Sequence, residues 1–236
     1  SGSIAALAGG TTSVIDFCIP PQGGSPLEAF DAWKNKSVGK SAIDFTYHLA
    51  VTSLNDQIES EIREVVRAGI TSFKVFLAYK GAFNLEDQDL YNTLKLAKEL
   101  GVLTTAHCEN ADLVVCEQER LIAEGKTDPI YHCQSRPAEV EGEGVRHLAF
   151  MASFHDAPIY IVHTTCKPAL EAAYAARFRG QKVYVETCQS YLVLDETYCE
   201  KPDFEGAKYV LSPPLRHKSN QEHLWAGLNN GLIQTV

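Results

Sequence analysis

The chain has 236 residues, 45% of them hydrophobic, which is enough for one sizeable core. Its 30 acidic and 21 basic residues give a formal net charge of −9 without any basic run, which excludes a phosphate-tracking nucleic-acid surface and favours a small, neutral or weakly charged ligand. No stretch nears the ~18 uninterrupted apolar residues of a membrane span, and there is no basic-then-apolar leader. Seven cysteines, an odd number with no Cys-x-x-Cys pair, suit reduced thiols in the cytosol serving mainly as small buried filler. One cytoplasmic domain over residues 1–236 is therefore expected. The chain begins with Ser1, and Gly231 to Val236 reads as a strand just starting, so both ends look cut.

Helical and strand patterns alternate almost throughout, the signature of βα units feeding a parallel sheet. Ile4 to Ala8 reads as the tail of a helix, Thr12 to Phe17 as a strand, Leu27 to Trp33 as a helix and Ala42 to Val51 as a strand. Ile58, Ile62, Val65 and Val66 share one helix face, with Gly69 placed to end the helix before strand Ser72 to Phe76. Leu90, Leu94 and Ala97 repeat the helical spacing up to Gly101, and Val102 to Ala106 is the next strand.

Two helices, Ala111 to Gly125 and Glu139 to His155, follow with a Pro- and His-containing connection between them, so this unit carries an insertion. Strand Ile159 to Val162, helix Pro168 to Arg179 and strand Val183 to Glu186 come next. After a less regular segment reaching Val210, Asn220 is placed to cap a helix from Gln221 to Leu228, and Leu232 to Val236 is the last strand candidate. Seven strands are thus expected, one short of an eight-stranded barrel, the absent one being the first.

Lys74, His107 and His163 each lie in or just after one of these strands. Reactive residues of a parallel barrel come from the carboxyl ends of several strands and converge on one mouth. Imidazole ligates zinc through either ring nitrogen, so two such histidines are candidate ligands; the alternative is a hydrogen-bonded core pair. A lysine becomes a ligand when its neutral amine adds carbon dioxide to form a carbamate, which burial favours by lowering its pKa. The plainer reading of Lys74 is a strand-end ion pair with Asp or Glu. His48, His132, His147, His155, His217 and His223 read as structural or surface groups, and Glu139, Glu141 and Glu143 as a solvated helix start.

Phe73 to Gly81 (FKVFLAYKG), His107 to Asn110 (HCEN), Val162 to Thr165 (VHTT), Pro202 to Val210 (PDFEGAKYV) and Ser212 to Arg216 (SPPLR) together resemble the motifs of the dihydropyrimidinase and D-hydantoinase group of cyclic amidohydrolases. The resemblance covers nearly the whole chain. It implies an α/β fold, an incomplete (β/α)8 TIM barrel of the metal-dependent hydrolase type, lacking the first strand and the small β-sandwich domain. It implies ring opening of a small-molecule cyclic amide, a dihydropyrimidine or hydantoin, to an N-carbamoyl amino acid, and a homotetramer.

By the same resemblance Lys74 is the carboxylated lysine bridging two zinc ions and His107 and His163 ligate the second. Tyr79 turns its hydroxyl to the substrate carbonyl, where a phenol can donate to a developing oxyanion; otherwise it is a half-buried mouth tyrosine. Ser212 offers its backbone to the imide-like edge of the substrate; otherwise it is a turn or helix cap. The group's His-x-His pair and its proton-shuttling aspartate do not occur in this sequence, and Gln189-Ser190 departs from the usual Pro-Gln. Allantoinase and dihydroorotase are the nearest alternative activities, and a non-catalytic scaffold that has lost metal ligands is the alternative from another class.

Overall fold

Short apolar runs bounded by glycine-terminated amphipathic segments fold as the alternation predicts. The computed structural model describes residues 2–236 and consists of α1 (Gly2–Ala8), β1 (Ser13–Cys18), α2 (Pro26–Ser37), β2 (Asp44–Ala50), α3 (Asp56–Arg67), β3 (Ser72–Phe76), α4 (Asp87–Leu100) and β4 (Leu103–His107). The second half adds α5 (Ala111–Ala123), α6 (Pro129–Gln134), α7 (Ala138–Ser153), β5 (Ile159–Ile161), α8 (Lys167–Phe178), β6 (Val183–Val185), α9 (Gln189–Val193) and α10 (Ser219–Asn229). Two 3-10 turns, Glu196–Glu200 and Glu205–Tyr209, occupy the segment read as irregular.

The six strands form one sheet in chain order, each parallel to the next. Parallel neighbours require a crossover, and the intervening helices supply it. The helices start and stop where local chemistry dictates. Ser25 and Asn55 cap α2 and α3 through their side chains, and Gly101, with φ at 70°, closes α4 in the left-handed conformation that a glycine adopts without strain. Alternation along the strands sends Leu49, Phe73, Val75, Ala106, Ile159, Ile161, Val183 and Val185 to the helix-covered face, where each is nearly inaccessible. The opposite face carries Phe17, His48, Lys74, Phe76, Thr105 and His107, a row far richer in polar and aromatic groups.

Three expectations change. The strand expected over Leu232 to Val236 is a single parallel bridge between Glu186 and Thr235, held by Gln234 N–H to the Val185 carbonyl at 2.9 Å and Thr187 N–H to the Thr235 carbonyl at 3.1 Å. Asn220 lies inside α10, and its Oδ1 instead accepts from Lys167 N–H at 3.0 Å, docking α10 on the first turn of α8. Cys116 is exposed rather than filler, whereas Cys18, Cys108, Cys133, Cys166 and Cys199 are buried as expected; all seven thiols are free. Among the described residues no helix is long and apolar enough to cross a membrane.

Candidate active site

Strand register brings the predicted residues together. Lys74 pairs with Thr105 and Phe76 with His107, so Lys74 and His107 lie on the same sheet face two residues apart along the strand direction. His163 lies two residues past the end of β5, where φ of 43° turns the backbone, and its N–H donates to Glu186 Oε1 at 3.1 Å. The two imidazoles meet: His107 Nδ1 is 3.2 Å from His163 Nε2, with ring centroids 4.9 Å apart.

Lys74 is 2% exposed, and its Nζ lies 5.0 Å from the ring centroid of Phe76 and 5.4 Å from that of Phe17. Among the described residues it joins none of the ion pairs, which run instead through other lysines and arginines. Burial without a carboxylate partner pushes its pKa down to about 8, Cys108 and Glu186 opposing only in part. Burial likewise holds both His107 and His163 below the usual imidazole range, so both rings are neutral at pH 7.

Glu109 explains which nitrogen of His107 is free. Its Oε2 lies 2.7 Å from His107 Nε2 and 2.6 Å from Arg136 Nη1. Burial by itself would raise this carboxyl, but the hydrogen bond from His107 and the charges of Arg136 and Arg216 outweigh it and keep it ionised. A carboxylate only accepts, so His107 Nε2 carries the proton and Nδ1 presents its lone pair toward His163.

Tyr79, with φ at 67°, sits at the mouth with its ring centroid 5.0 Å from that of His107 and 5.7 Å from the Arg136 guanidinium carbon. Burial raises its pKa, the Ser212 hydroxyl beside it and Arg136 opposing. Ser212 caps no helix; its Oγ lies 3.3 Å from His132 Nε2, which also donates to the Leu211 carbonyl at 2.7 Å. His132, read from sequence as a bland group, thus clamps the Ser212 loop.

Arg216 anchors the other end of that loop, donating to Glu141 Oε2 and Thr165 Oγ1, both at 2.7 Å, and to the Arg136 carbonyl. Glu141 is therefore a correction: it is 2% exposed and ion-paired, and only Glu139 of the acidic run is solvated, while Glu143 accepts from Asn110 Nδ2 at 2.6 Å. Glu109 and Arg216 stood inside the motif blocks without a role, and their buried partners, Arg136 and Glu141, lie outside those blocks, so nothing in the sequence signalled either pairing.

The donor set fits a metal. His107 has contacts at both ring nitrogens, but the Lys74 amine is unpaired and the His163 Nδ1 has no hydrogen-bond partner, and these two groups are poorly satisfied by protein alone. Among the described residues no three His, Cys, Asp or Glu side chains converge as a metal-binding group; what the strands bring together are the two imidazoles and the Lys74 amine.

Parallel strands in chain order with these side chains at their carboxyl ends define a partial (β/α)8 barrel of the amidohydrolase type. No protein-family model matches the chain. Along its whole length it is 47% identical to the D-hydantoinase of Geobacillus stearothermophilus and 41% identical to the dihydropyrimidinase of Arabidopsis thaliana, covering 50% and 44% of those proteins. It matches the crystal structure of dihydropyrimidinase from Brevibacillus agri NCHU1002 with a TM-score of 0.98 at 49% identity, over 100% of this chain and 51% of that one. For the L-hydantoinase of Arthrobacter aurescens the TM-score is 0.86 at 26% identity, over 99% of this chain and 51% of that one. Along its whole length the chain is similar to dihydropyrimidinases and D-hydantoinases, and it spans about half the length of the curated relatives it matches.

Proposed function

We propose that residues 1–236 are the barrel portion of the catalytic domain of a cytoplasmic, homotetrameric enzyme that opens dihydropyrimidines or hydantoins to N-carbamoyl amino acids. The observation that carries this reading is a buried lysine without a carboxylate partner beside two neutral, facing histidines at adjacent strand ends. Lys74, as a carbamate, and His107 and His163 would hold two zinc ions together with ligands outside this sequence. Zinc supplies Lewis acidity toward the scissile carbonyl and makes water nucleophilic near neutral pH.

The chain's own side chains would do the rest. Lowering the Lys74 pKa from 10.5 to about 8 multiplies the free amine near neutrality roughly 300-fold, which is what carbamate formation requires. Glu109 holds the proton on His107 Nε2 and so keeps Nδ1 open. Tyr79 stays protonated because burial raises its pKa, and it can donate to the oxygen on which negative charge develops. Ser212, fixed through His132 and Arg216, would meet the polar edge of the ring.

The test is a substrate panel on the full-length polypeptide containing this chain, loaded with zinc in bicarbonate. Dihydrouracil and 5-substituted hydantoins should be opened fastest; much faster opening of allantoin or dihydroorotate would overturn the assignment.

A further inference from the structure

Glu109 and Arg136 are spent on something other than packing. Glu109 is fully buried just beyond β4, and Arg136, 5% exposed, lies between α6 and α7. Taking two ions out of water is unfavourable unless their geometry is well satisfied. Yet here satisfaction is incomplete, since Glu109 Oε1 and Arg136 Nε have no partners. What they do satisfy is directed at the site. One carboxylate oxygen takes both the His107 Nε2 proton and the Arg136 Nη1 proton, and the same guanidinium stands 5.7 Å from the Tyr79 ring centroid.

The backbone that presents Glu109 is pinned as well. A Cβ on Gly144 of α7 would come within 2.7 Å of the Cys108 carbonyl carbon and 2.9 Å of the Glu109 nitrogen, so α7 rests directly against that peptide. The Arg136 carbonyl in turn accepts from Arg216, which ties the pair to the Ser212 loop.

We propose that Glu109 and Arg136 are the positioning pair of this site: Glu109 fixes the tautomer and ring plane of His107 so that Nδ1 is the ligating atom, and Arg136 holds Glu109 and the Tyr79 ring in one frame. The proposal rests on the zinc hydrolase reading above. Partners of metal-bound histidines of this kind typically govern metal affinity by 10- to 100-fold.

The full-length enzyme provides the test. Glu109→Gln keeps the shape but presents a neutral amide able to turn its NH2 toward His107. Its zinc dissociation constant should rise by about 10- to 100-fold, and the visible spectrum of the cobalt-substituted enzyme should change. Glu141→Gln is the control, because Glu141 is an equally buried carboxylate paired with Arg216 that does not contact His107. It should lower the melting temperature and leave zinc affinity and the cobalt spectrum as they were. If Glu109→Gln does not accumulate, Arg136→Lys carries the test, with weaker zinc binding and a fall in kcat at nearly constant KM. Zinc affinity and cobalt spectrum unchanged in the variant that folds, or lost equally in Glu141→Gln, would overturn the positioning role. A wild-type enzyme that neither retains zinc nor opens cyclic amides would instead overturn the underlying reading.

Discussion

Lys74 and Tyr79 differ in how far each could be read in advance. A lysine in a strand is by default half of an ion pair, and only the packing of Phe17 and Phe76 around its amine, with no carboxylate alongside, removes that reading. In the full-length enzyme Lys74→Ala should abolish turnover and reduce bound zinc, measured by elemental analysis after gel filtration; normal turnover with full metal content would refute the carbamate. Tyr79→Phe removes one hydroxyl and leaves the ring against His107. We expect kcat to fall by roughly two orders of magnitude with little change in KM, as for loss of an oxyanion donor. A normal kcat would remove the phenol from the chemistry.

At the level of elements, α7 does more than cover the sheet. Its glycines let it approach its neighbours closely: a Cβ at Gly142 would lie 2.6 Å from Pro168 Cβ, and one at Gly144 would meet backbone after His107. Gly144→Ala therefore cannot be absorbed by a flexible side chain. It should destabilise the fold by about 1–3 kcal/mol in urea titration despite alanine's better helix propensity. Stabilisation would show that α7 has room to shift. The sequence placed α7 correctly but not its contacts, because glycine within a helical pattern announces weakness locally and a close approach only in three dimensions.

For the molecule as a whole, the pH dependence of stability follows from its histidines. Burial lowers His48 to about 4, with Lys74 adding to the effect, and also lowers His132 and His155. These groups fold neutral, so between about pH 6.5 and 4 the unfolded chain binds more protons. The histidine contribution to stability should thus be constant above pH 6.5 and fall steadily below it, His48 alone accounting for up to about 3 kcal/mol of the loss. Urea midpoints between pH 7.5 and 4.5 would show the slope, and His48→Gln should flatten it. A midpoint that rises on acidification would contradict the burial argument.

The sequence by itself determined the alternation of strands and helices, because hydrophobic period and glycine stops act within a few residues. It also marked Lys74, His107 and His163 by their place at strand ends, since a parallel sheet has only one carboxyl edge. What it left open were partnerships spanning long stretches of chain: Glu109 with Arg136, Glu141 with Arg216, His132 with the Ser212 loop. A glutamate in a helix start reads as solvated until the fold lays another element over it, as Arg216 and Thr165 show for Glu141. Burial, and with it tautomer, charge state and the freedom of Lys74 from any carboxylate, belongs to the tertiary structure alone, because only packing decides which polar groups lose water and what replaces it.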